Sequence, residues 1–439
     1  MRMTVIGTGY LGAVHAACMA DLGHEVLGVD TNRDRIEMLA NGLAPFYEPG
    51  LDELLDRGVR NGSLRFTTSM AEAAEFADVH FVCVGTPQQD GADGADLRGL
   101  HSVIDELAPL LRRDALIIGK STVPVGTATD LANRAAGLAP ADVRVELAWN
   151  PEFLREGLAV EDTLYPNRIV VGVTSGAADA TIRAIYRPLL SRGTPYISTD
   201  LHTAELVKVS ANAFLATKLS FINAVSDMCE AAGADVVTLS EALGYDERIG
   251  SAYLSAGLGF GGSCLGKDVR AFIARARELG IEDSLSFLRE VDEFNLRRRQ
   301  RTAEMARDVV GGSFEGRNVA VLGAAFKPDT DDIRDSPALA VARAAQREGA
   351  RVRVHDPKAM ENARVAFPEL DFSPSAEKAC EDADVVLHLT EWREYSDIDP
   401  EILGSLVRER RLIDARNKLP LDRWQAAGWS VRALGRKAS

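Results

Sequence analysis

Five cysteines occur in the chain, and one stands where a thiol could react. Cys18, Cys83, Cys229 and Cys380 fall inside helix or strand patterns, where cysteine serves as a small buried hydrophobe. Cys264 lies instead in Gly259-Phe260-Gly261-Gly262-Ser263-Cys264-Leu265-Gly266-Lys267-Asp268, a loop pattern that frees backbone amides and leaves space at the sulfur. A neighbouring cation such as Lys267 favours the nucleophilic thiolate. Local chemistry leaves two readings open, a catalytic thiol and an inert loop cysteine. Lys208 and Asn212 are four apart in a helical pattern and share a face. An ammonium and an amide aimed at one point could stabilise an oxyanion, and the small or apolar residues around them weigh against a merely solvated face.

Two further segments carry polar chemistry. In Asn150-Pro151-Glu152-Phe153-Leu154-Arg155-Glu156-Gly157 the asparagine is a candidate cap and the proline a first helical residue. A helix there would put Glu152 and Glu156 on one face, as a general base or as simple compensation of the helix dipole. Gly119–Thr127 is a strand-to-turn edge rich in hydroxyls, placed where a doubly wound sheet opens onto its ligand. Gly7-Thr8-Gly9-Tyr10-Leu11-Gly12 fits G-x-G-x-x-G between a strand and a helix. The first glycine allows the tight turn, the second lets a pyrophosphate approach, and the third lets helix and strand pack closely. Helix amides then face the phosphates. Asp30 ends the next strand, where a carboxylate takes ribose hydroxyls and repels a 2′-phosphate, so NAD is expected rather than NADP.

These residues need a scaffold, and the pattern supplies one. Met3–Gly7, Glu25–Asp30, Val79–Val84, Leu116–Gly119, Val145–Trp149 and Ile169–Val173 read as strands alternating with helices such as Leu11–Leu22, which Gly23 stops. Such alternation predicts a parallel sheet wrapped by helices. Gln88–Gly99 reads as a surface loop. From Thr203 to about Ala232 strand signals vanish and apolar residues recur at helical spacing, predicting a long helix suited to a dimer interface. Alternation resumes after Gly311-Gly312, with strands at Asn318–Gly323 and Arg351–Asp356 around a helix that starts at Ser336-Pro337 and closes at Gly349. Gly23–Asp30 and Gly349–Asp356 echo each other, but Gly323-Ala324-Ala325-Phe326 lacks the later glycines and should hold something other than NAD. The expected architecture is α/β: two Rossmann-like doubly wound domains joined by a central helical domain. Its parts are 1–200 for NAD, 201–310 for dimerisation and the cysteine loop, and 311–439 as the second Rossmann-like domain.

The 439 residues are too many for one core at about 150 residues per domain, and 46% hydrophobic with 26% charged residues is ordinary folded composition. A formal net charge of −15 argues against a nucleic-acid partner while leaving room for a small anionic substrate. Met1-Arg2 leads straight into an apolar strand with no cleavable signal, and no run reaches the roughly 18 apolar residues of a membrane span. Odd, widely spaced cysteines fit neither a disulfide framework nor a metal site, so a reduced cytoplasm is expected. The basic tail Arg436–Ser439 is expected to be disordered.

In order, GTGYLG, VGTP, GKSTVPVGT, NPEFLREG, KVSANAFLATK, GFGGSCLGKD, AFKPDTDDIRDSP and IDARN resemble the UDP-glucose/GDP-mannose dehydrogenase family over essentially the whole chain. The resemblance implies a four-electron oxidation of a sugar C6 alcohol to a carboxylate, with two NAD per sugar. Cys264 would attack the intermediate aldehyde, Lys208 and Asn212 steady the oxyanion, and Glu152 act as base in thioester hydrolysis. Thr122 and Asp268 would hold the water. For the cofactor it implies Gly7, Gly9, Gly12, Asp30, Arg35, Thr86, Thr122, Glu156, Lys267 and Arg334. For the nucleotide-sugar it implies Phe153, Leu154, Lys208, Asn212, Tyr253, Gly261, Lys327 and Arg416, with Arg248 reaching across a homodimer. Lys120–Thr127 and Ala159–Asp162 look most like the UDP-glucose branch, ahead of GDP-mannose or N-acetylated UDP-hexosamines. A one-hydride hydroxyacid dehydrogenase and a non-catalytic NAD-binding regulator are the rivals outside it. One departure is Gly266, where the family usually has proline, so a looser loop around Lys267 and Asp268 is expected.

Overall fold

The computed structural model describes Met1–Lys437; Ala438 and Ser439, the end of the basic tail, lie outside the described residues. Two compact units emerge, one of residues 1–211 with 274–280, the other of 212–273 with 281–439.

The first unit is built on eight strands: β1 (Arg2–Ile6), β2 (Glu25–Val29), β3 (Leu64–Thr67), β4 (Val79–Val82), β5 (Ala115–Gly119), β6 (Val145–Trp149), β7 (Ile169–Gly172) and β8 (Tyr196–Thr199). Their order is β3-β2-β1-β4-β5-β6-β7-β8. Every neighbouring pair is parallel except β6 with β7, which meet antiparallel at Trp149 and Gly172. Met3, Thr4, Val5 and Ile6 of β1 are all buried, as a central parallel strand covered on both faces must be. One apolar layer gathers Met3, Val5, Val14 and Phe81, and another gathers Leu27, Val29, Ile104 and Ile117. Helix α1 (Tyr10–Asp21) follows β1, and Gly23, at φ +91°, turns the chain back into β2.

The second unit repeats the plan with β9 (Asn318–Leu322), β10 (Arg351–His355), β11 (Asp371–Phe372), β12 (Val385–His388), β13 (Arg411–Asp414) and β14 (Ser430–Ala433). All pairs are parallel in the order β11-β10-β9-β12-β13-β14, the doubly wound order of the first six strands of the larger sheet. The echo between the two ends of the sequence is therefore an echo of topology.

Three differences from the expectations matter. No helix forms at 150–157; α2 (Ala159–Leu164) starts only after Gly157, at φ +80°. Cys264 does not float in a loop, because α3 (Leu265–Glu278) begins immediately after it and takes Gly266, Lys267 and Asp268 into its first turn. Arg436, placed by sequence in a disordered tail, pairs with Asp235 at 2.8 Å, which orders the chain further than its composition suggests. The long helix Leu201–Ala232 runs 32 residues, as the periodicity requires; it belongs to the first unit up to Ala211 and to the second from Asn212. In the second unit it buries Ala213, Ala216, Ile222 and Cys229 and exposes Phe214, Phe221 and Met228 at seven-residue spacing.

Candidate active site

The glycine cradle lies at the end of β1, beside β4, where the strand order reverses and doubly wound sheets bind ligands. Gly7 has φ +89°, and a Cβ there would come 2.7 Å from Val84. At Gly12 a Cβ would lie 1.8 Å from the Gly7 carbonyl oxygen, so the turn closes only without a side chain. Gly9 differs: a Cβ there meets nothing within 4 Å, and the space above it is open. Protein packing does not demand that glycine, whereas a pyrophosphate lying on the loop does. Asp30 just past β2 accepts Thr8 N–H at 2.8 Å and Asn32 N–H at 2.9 Å and pairs with Arg35 at 3.0 Å. Burial would raise its pKa, but the amides of Asn32 and Thr8 and the Arg35 guanidinium overcome that and hold it low. Thr86, after β4, donates its hydroxyl to the Thr122 carbonyl at 2.6 Å, which joins the two expected cofactor threonines along one sheet edge. These residues fit NAD.

Glu152, Phe153, Leu154 and Lys208 belong to the same unit. Lys208 Nζ stands 3.4 Å from Glu152 Oε1 and 5.8 Å from the Phe153 ring centre, while the Arg168 guanidinium stacks 3.8 Å over that ring. Leu154 packs into the α1 side of the core. Glu156 reaches the field of Tyr10 in the glycine loop. Sequence reasoning missed the group that organises this turn. Glu48 is buried and accepts the Tyr10 hydroxyl and the amides of Gly157 (2.7 Å) and Ala159 (2.6 Å). A lone glutamate in a loop has no local signature for that role.

In the second unit, Cys264 is the exposed cysteine and the other four are buried. Burial raises the thiol pKa of Cys83 and Cys380 to about 12, which fits inert packing. Cys264 precedes the N-terminus of α3, the end of a helix at which the thiolate form of cysteine is favoured. Asp268, one turn on and 2% exposed, accepts Asn212 Nδ2–H at 2.6 Å and forms an ion pair with Lys267 Nζ at 2.9 Å. The loop before the cysteine is clamped from helix α4 (Phe287–Val309). Asn295 exchanges two hydrogen bonds with Phe260 at 2.8 and 3.0 Å, and Arg299 donates to Phe260 O at 2.9 Å and pairs with Asp335. Neither clamp residue was singled out from sequence. Gly261 presses on the chain at Asp335, where a Cβ would lie 2.3 Å from the carbonyl oxygen.

The remaining expected ligands of the nucleotide-sugar surround the smaller sheet or lie before the cysteine loop. Arg416 follows β13 and ties Leu389 O (2.7 Å), Phe326 O (3.0 Å) and Glu391 (3.1 Å) together. Lys327 Nζ lies 5.5 Å from the Phe326 ring centre. Tyr253 holds φ +62°, a strained value for a tyrosine. Arg248 is highly exposed and pairs with Asp246, while Arg334, expected at the cofactor, pairs with Asp332. No group of three or more candidate metal ligands exists among the described residues.

A dinucleotide cradle on one sheet and a cysteine at a helix N-terminus define the class, an NAD-dependent dehydrogenase carrying a candidate nucleophilic thiol. The chain belongs to the UDP-glucose/GDP-mannose dehydrogenase family, whose NAD binding domain matches residues 1–190, central domain 202–297 and UDP binding domain 320–420. It is 41% identical over 441 residues to a UDP-glucose 6-dehydrogenase of Rhizobium meliloti, covering 99% of this chain and 100% of that one. A UDP-glucose 6-dehydrogenase of Bacillus subtilis is 37% identical, with 100% and 98% covered. Among solved structures, a UDP-glucose dehydrogenase from Pyrobaculum islandicum superposes with TM-score 0.89 at 36% identity, over 100% of this chain and 97% of that one.

Proposed function

We propose that this enzyme oxidises UDP-glucose to UDP-glucuronate. The observation that carries the reading is Cys264, exposed at the start of α3 with Lys267 and Asp268 in the following turn. A dehydrogenase that removes a single hydride has no use for that thiol. Relatives named UDP-glucose 6-dehydrogenase, at 37–41% identity over the full length, favour glucose as the sugar. A solved structure named for UDP-D-ManNAc stands at 27%.

The glycine loop would hold NAD, which would supply the hydride acceptor for both oxidations at C6. Gly7, Gly9 and Gly12 would admit its pyrophosphate, Asp30 and Arg35 would hold its ribose, and Thr86, Thr122, Glu156, Lys267 and Arg334 would complete the cofactor contacts. Cys264 bonds to the aldehyde carbon as the carbonyl pair moves onto oxygen, where Lys208 and Asn212 hold the charge. In the final step Glu152 takes a proton from water as its oxygen bonds to the thioester carbon. The carbon–sulfur bond breaks, the thiolate returns and the carboxylate leaves. Thr122 and Asp268 hold that water. Phe153, Leu154, Tyr253, Gly261, Lys327 and Arg416 hold the nucleotide-sugar.

The assignment divides the chain into a cofactor part (1–200), a dimerisation and thiol part (201–310) and a UDP-sugar part (311–439). The enzyme works as a homodimer in which Arg248 reaches the partner's sugar. We place it in the cytoplasm, a reading that rests on five unbridged cysteines; among the described residues no helix is long and apolar enough to cross a membrane.

NADH formed per mole of limiting UDP-glucose, followed by absorbance to completion, tests the reading. Two NADH are expected. One would end the reaction at an aldehyde and remove the role of Cys264, and none would move the substrate to GDP-mannose or an N-acetylated sugar. In the same assay Cys264→Ser should release one NADH or fewer, and normal steady turnover in that variant would sink the covalent scheme.

A further inference from the structure

Glu152 has a second lysine behind it. Lys120 follows β5 directly, and its side chain is buried, with 7% of the residue exposed. Its Nζ lies 3.0 Å from Asn150 Oδ1 and 3.3 Å from Asn150 O. Asn150 is fixed in turn, donating Nδ2–H to Val170 O at 2.9 Å and accepting the Tyr186 hydroxyl at 2.6 Å. A cavity of about 70 Å³ is lined by Lys120, Asn150, Glu152, His15, Tyr186 and Arg168, and it is large enough for ordered water. Among the described residues, Glu152 Oε2 and His15 Nε2 are buried without a hydrogen-bond partner. A buried ammonium needs an opposite charge as well as acceptors. The two oxygens of Asn150 are neutral, and of the two carboxylates lining the cavity Asp162 is paired with Arg155, whereas Glu152 faces Lys208 with Oε1 alone and leaves Oε2 without a hydrogen-bond partner. Glu152 supplies the negative charge.

We propose that Lys120 is a positioning residue for Glu152: it fixes the Asn150–Glu152 segment through Asn150 and keeps a buried positive charge beside the carboxylate, in addition to Lys208. The carboxylate is thereby held in place to take the proton of the hydrolytic water. This rests on the reaction proposed above.

The charges around the pair agree. Burial lowers the pKa of Lys120; Cys83 and, after it, Glu152 act to raise it, and Lys208 lowers it further. His15 on α1 is held neutral by burial and by the Lys120 charge. Cys83 after β4 keeps its proton at neutral pH because burial raises its pKa to about 12. Burial likewise raises the Tyr186 phenol, and Arg168 is stacked on Phe153. Removing the Lys120 charge takes a cation from the cavity that Glu152 lines, so the acid limb of turnover is expected to move to higher pH.

Lys120→Gln keeps a donor for Asn150 and removes the charge. The Glu152 carboxyl can be titrated by pH-difference infrared spectroscopy on labelled protein, assigned by its disappearance in Glu152→Gln. In Lys120→Gln this titration and the acid limb of kcat should move up together by about one pH unit, the size of a nearby-charge effect. KM for UDP-glucose and NAD should stay within about twofold. Tyr186→Phe, which removes a hydrogen bond to the same Asn150 oxygen and no charge, should leave the titration in place. An unmoved Glu152 in Lys120→Gln, or an equal shift in Tyr186→Phe, overturns the proposal. Lys120→Met serves the same comparison, and failure of both lysine variants to fold while Tyr186→Phe folds would overturn it as well, leaving Lys120 a structural part. The infrared titration needs no turnover. A wild-type enzyme that makes no NADH from UDP-glucose therefore refutes the reaction reading alone, and the Glu152 shift still decides the role of Lys120.

Discussion

Asp30 and Asp356 follow equivalent strands, β2 and β10, of two sheets with the same strand order, and their carboxylates are used differently. Asp30 accepts backbone amides from Thr8 and Asn32 and pairs with Arg35, a cation it can share with a ligand. Asp356 is 2% exposed, and one oxygen alone accepts the amides of Ala324 (2.7 Å) and Ala325 (2.9 Å) and the indole N–H of Trp392 (3.1 Å). Its other oxygen takes the amides of Lys358 and Ala359. A carboxylate so occupied has no capacity left for ribose hydroxyls, which is the physical reason the second sheet departs from dinucleotide binding. Asp30→Ala should therefore weaken NAD by about 10- to 100-fold, the range for hydrogen bonds to a charged group, with UDP-glucose affinity changed less than about twofold. Competitive binding by calorimetry measures both, and equal losses would mean the cofactor lies elsewhere.

Helix α3 explains why glycine is tolerated at position 266, where the family resemblance leads one to expect proline. Gly266 is the second residue of the helix, and the first amides of a helix have no carbonyl one turn back to bond. Proline costs nothing in lost hydrogen bonds there, and glycine leaves the turn formed, with Asp268 N–H bonded to Cys264 O at 2.9 Å. The cost is conformational entropy. A Cβ at Gly266 would meet the tip of Arg270 at 3.2 Å, which must give by a few tenths of an ångström. Gly266→Ala should raise stability by about 0.5–1 kcal/mol, seen as a shift of the urea midpoint at constant slope. A loss of stability would show that Arg270, held by Asp292 at 3.1 Å, cannot move. The stretch at 150–157 teaches the opposite lesson. Its Asn-Pro-Glu pattern is a sound helix start, yet Asn150 is taken by Lys120, Tyr186 and Val170. Glu48 caps the amides of Gly157 and Ala159 instead, and the helix begins two turns late.

At the scale of the whole molecule, the exposed row Phe214, Phe221 and Met228 on the long helix is the face on which the proposed dimer rests. Buried aromatic anchors near the centre of an interface are worth about 2 kcal/mol or more each, and a charge in their place is worse. Phe221→Glu should halve the sedimentation mass toward the 47.4 kDa of one chain and reduce turnover, because Arg248 would no longer reach a partner. An unchanged mass would move the interface to another face. The sequence by itself determined the alternation of strands and helices, the tight turn at Gly7 and Gly12, the long helix and the singular setting of Cys264, because each follows from local pattern or from steric limits within a few residues. Only the tertiary structure decided where carboxylates and ammoniums spend their bonds. Glu48 reaches Gly157 across more than a hundred residues, Asn295 reaches Phe260 from another helix, and Lys120 meets Asn150 from a neighbouring strand end. Electrostatic and hydrogen-bond partners are set by distance in space, and a one-dimensional pattern carries no measure of that distance.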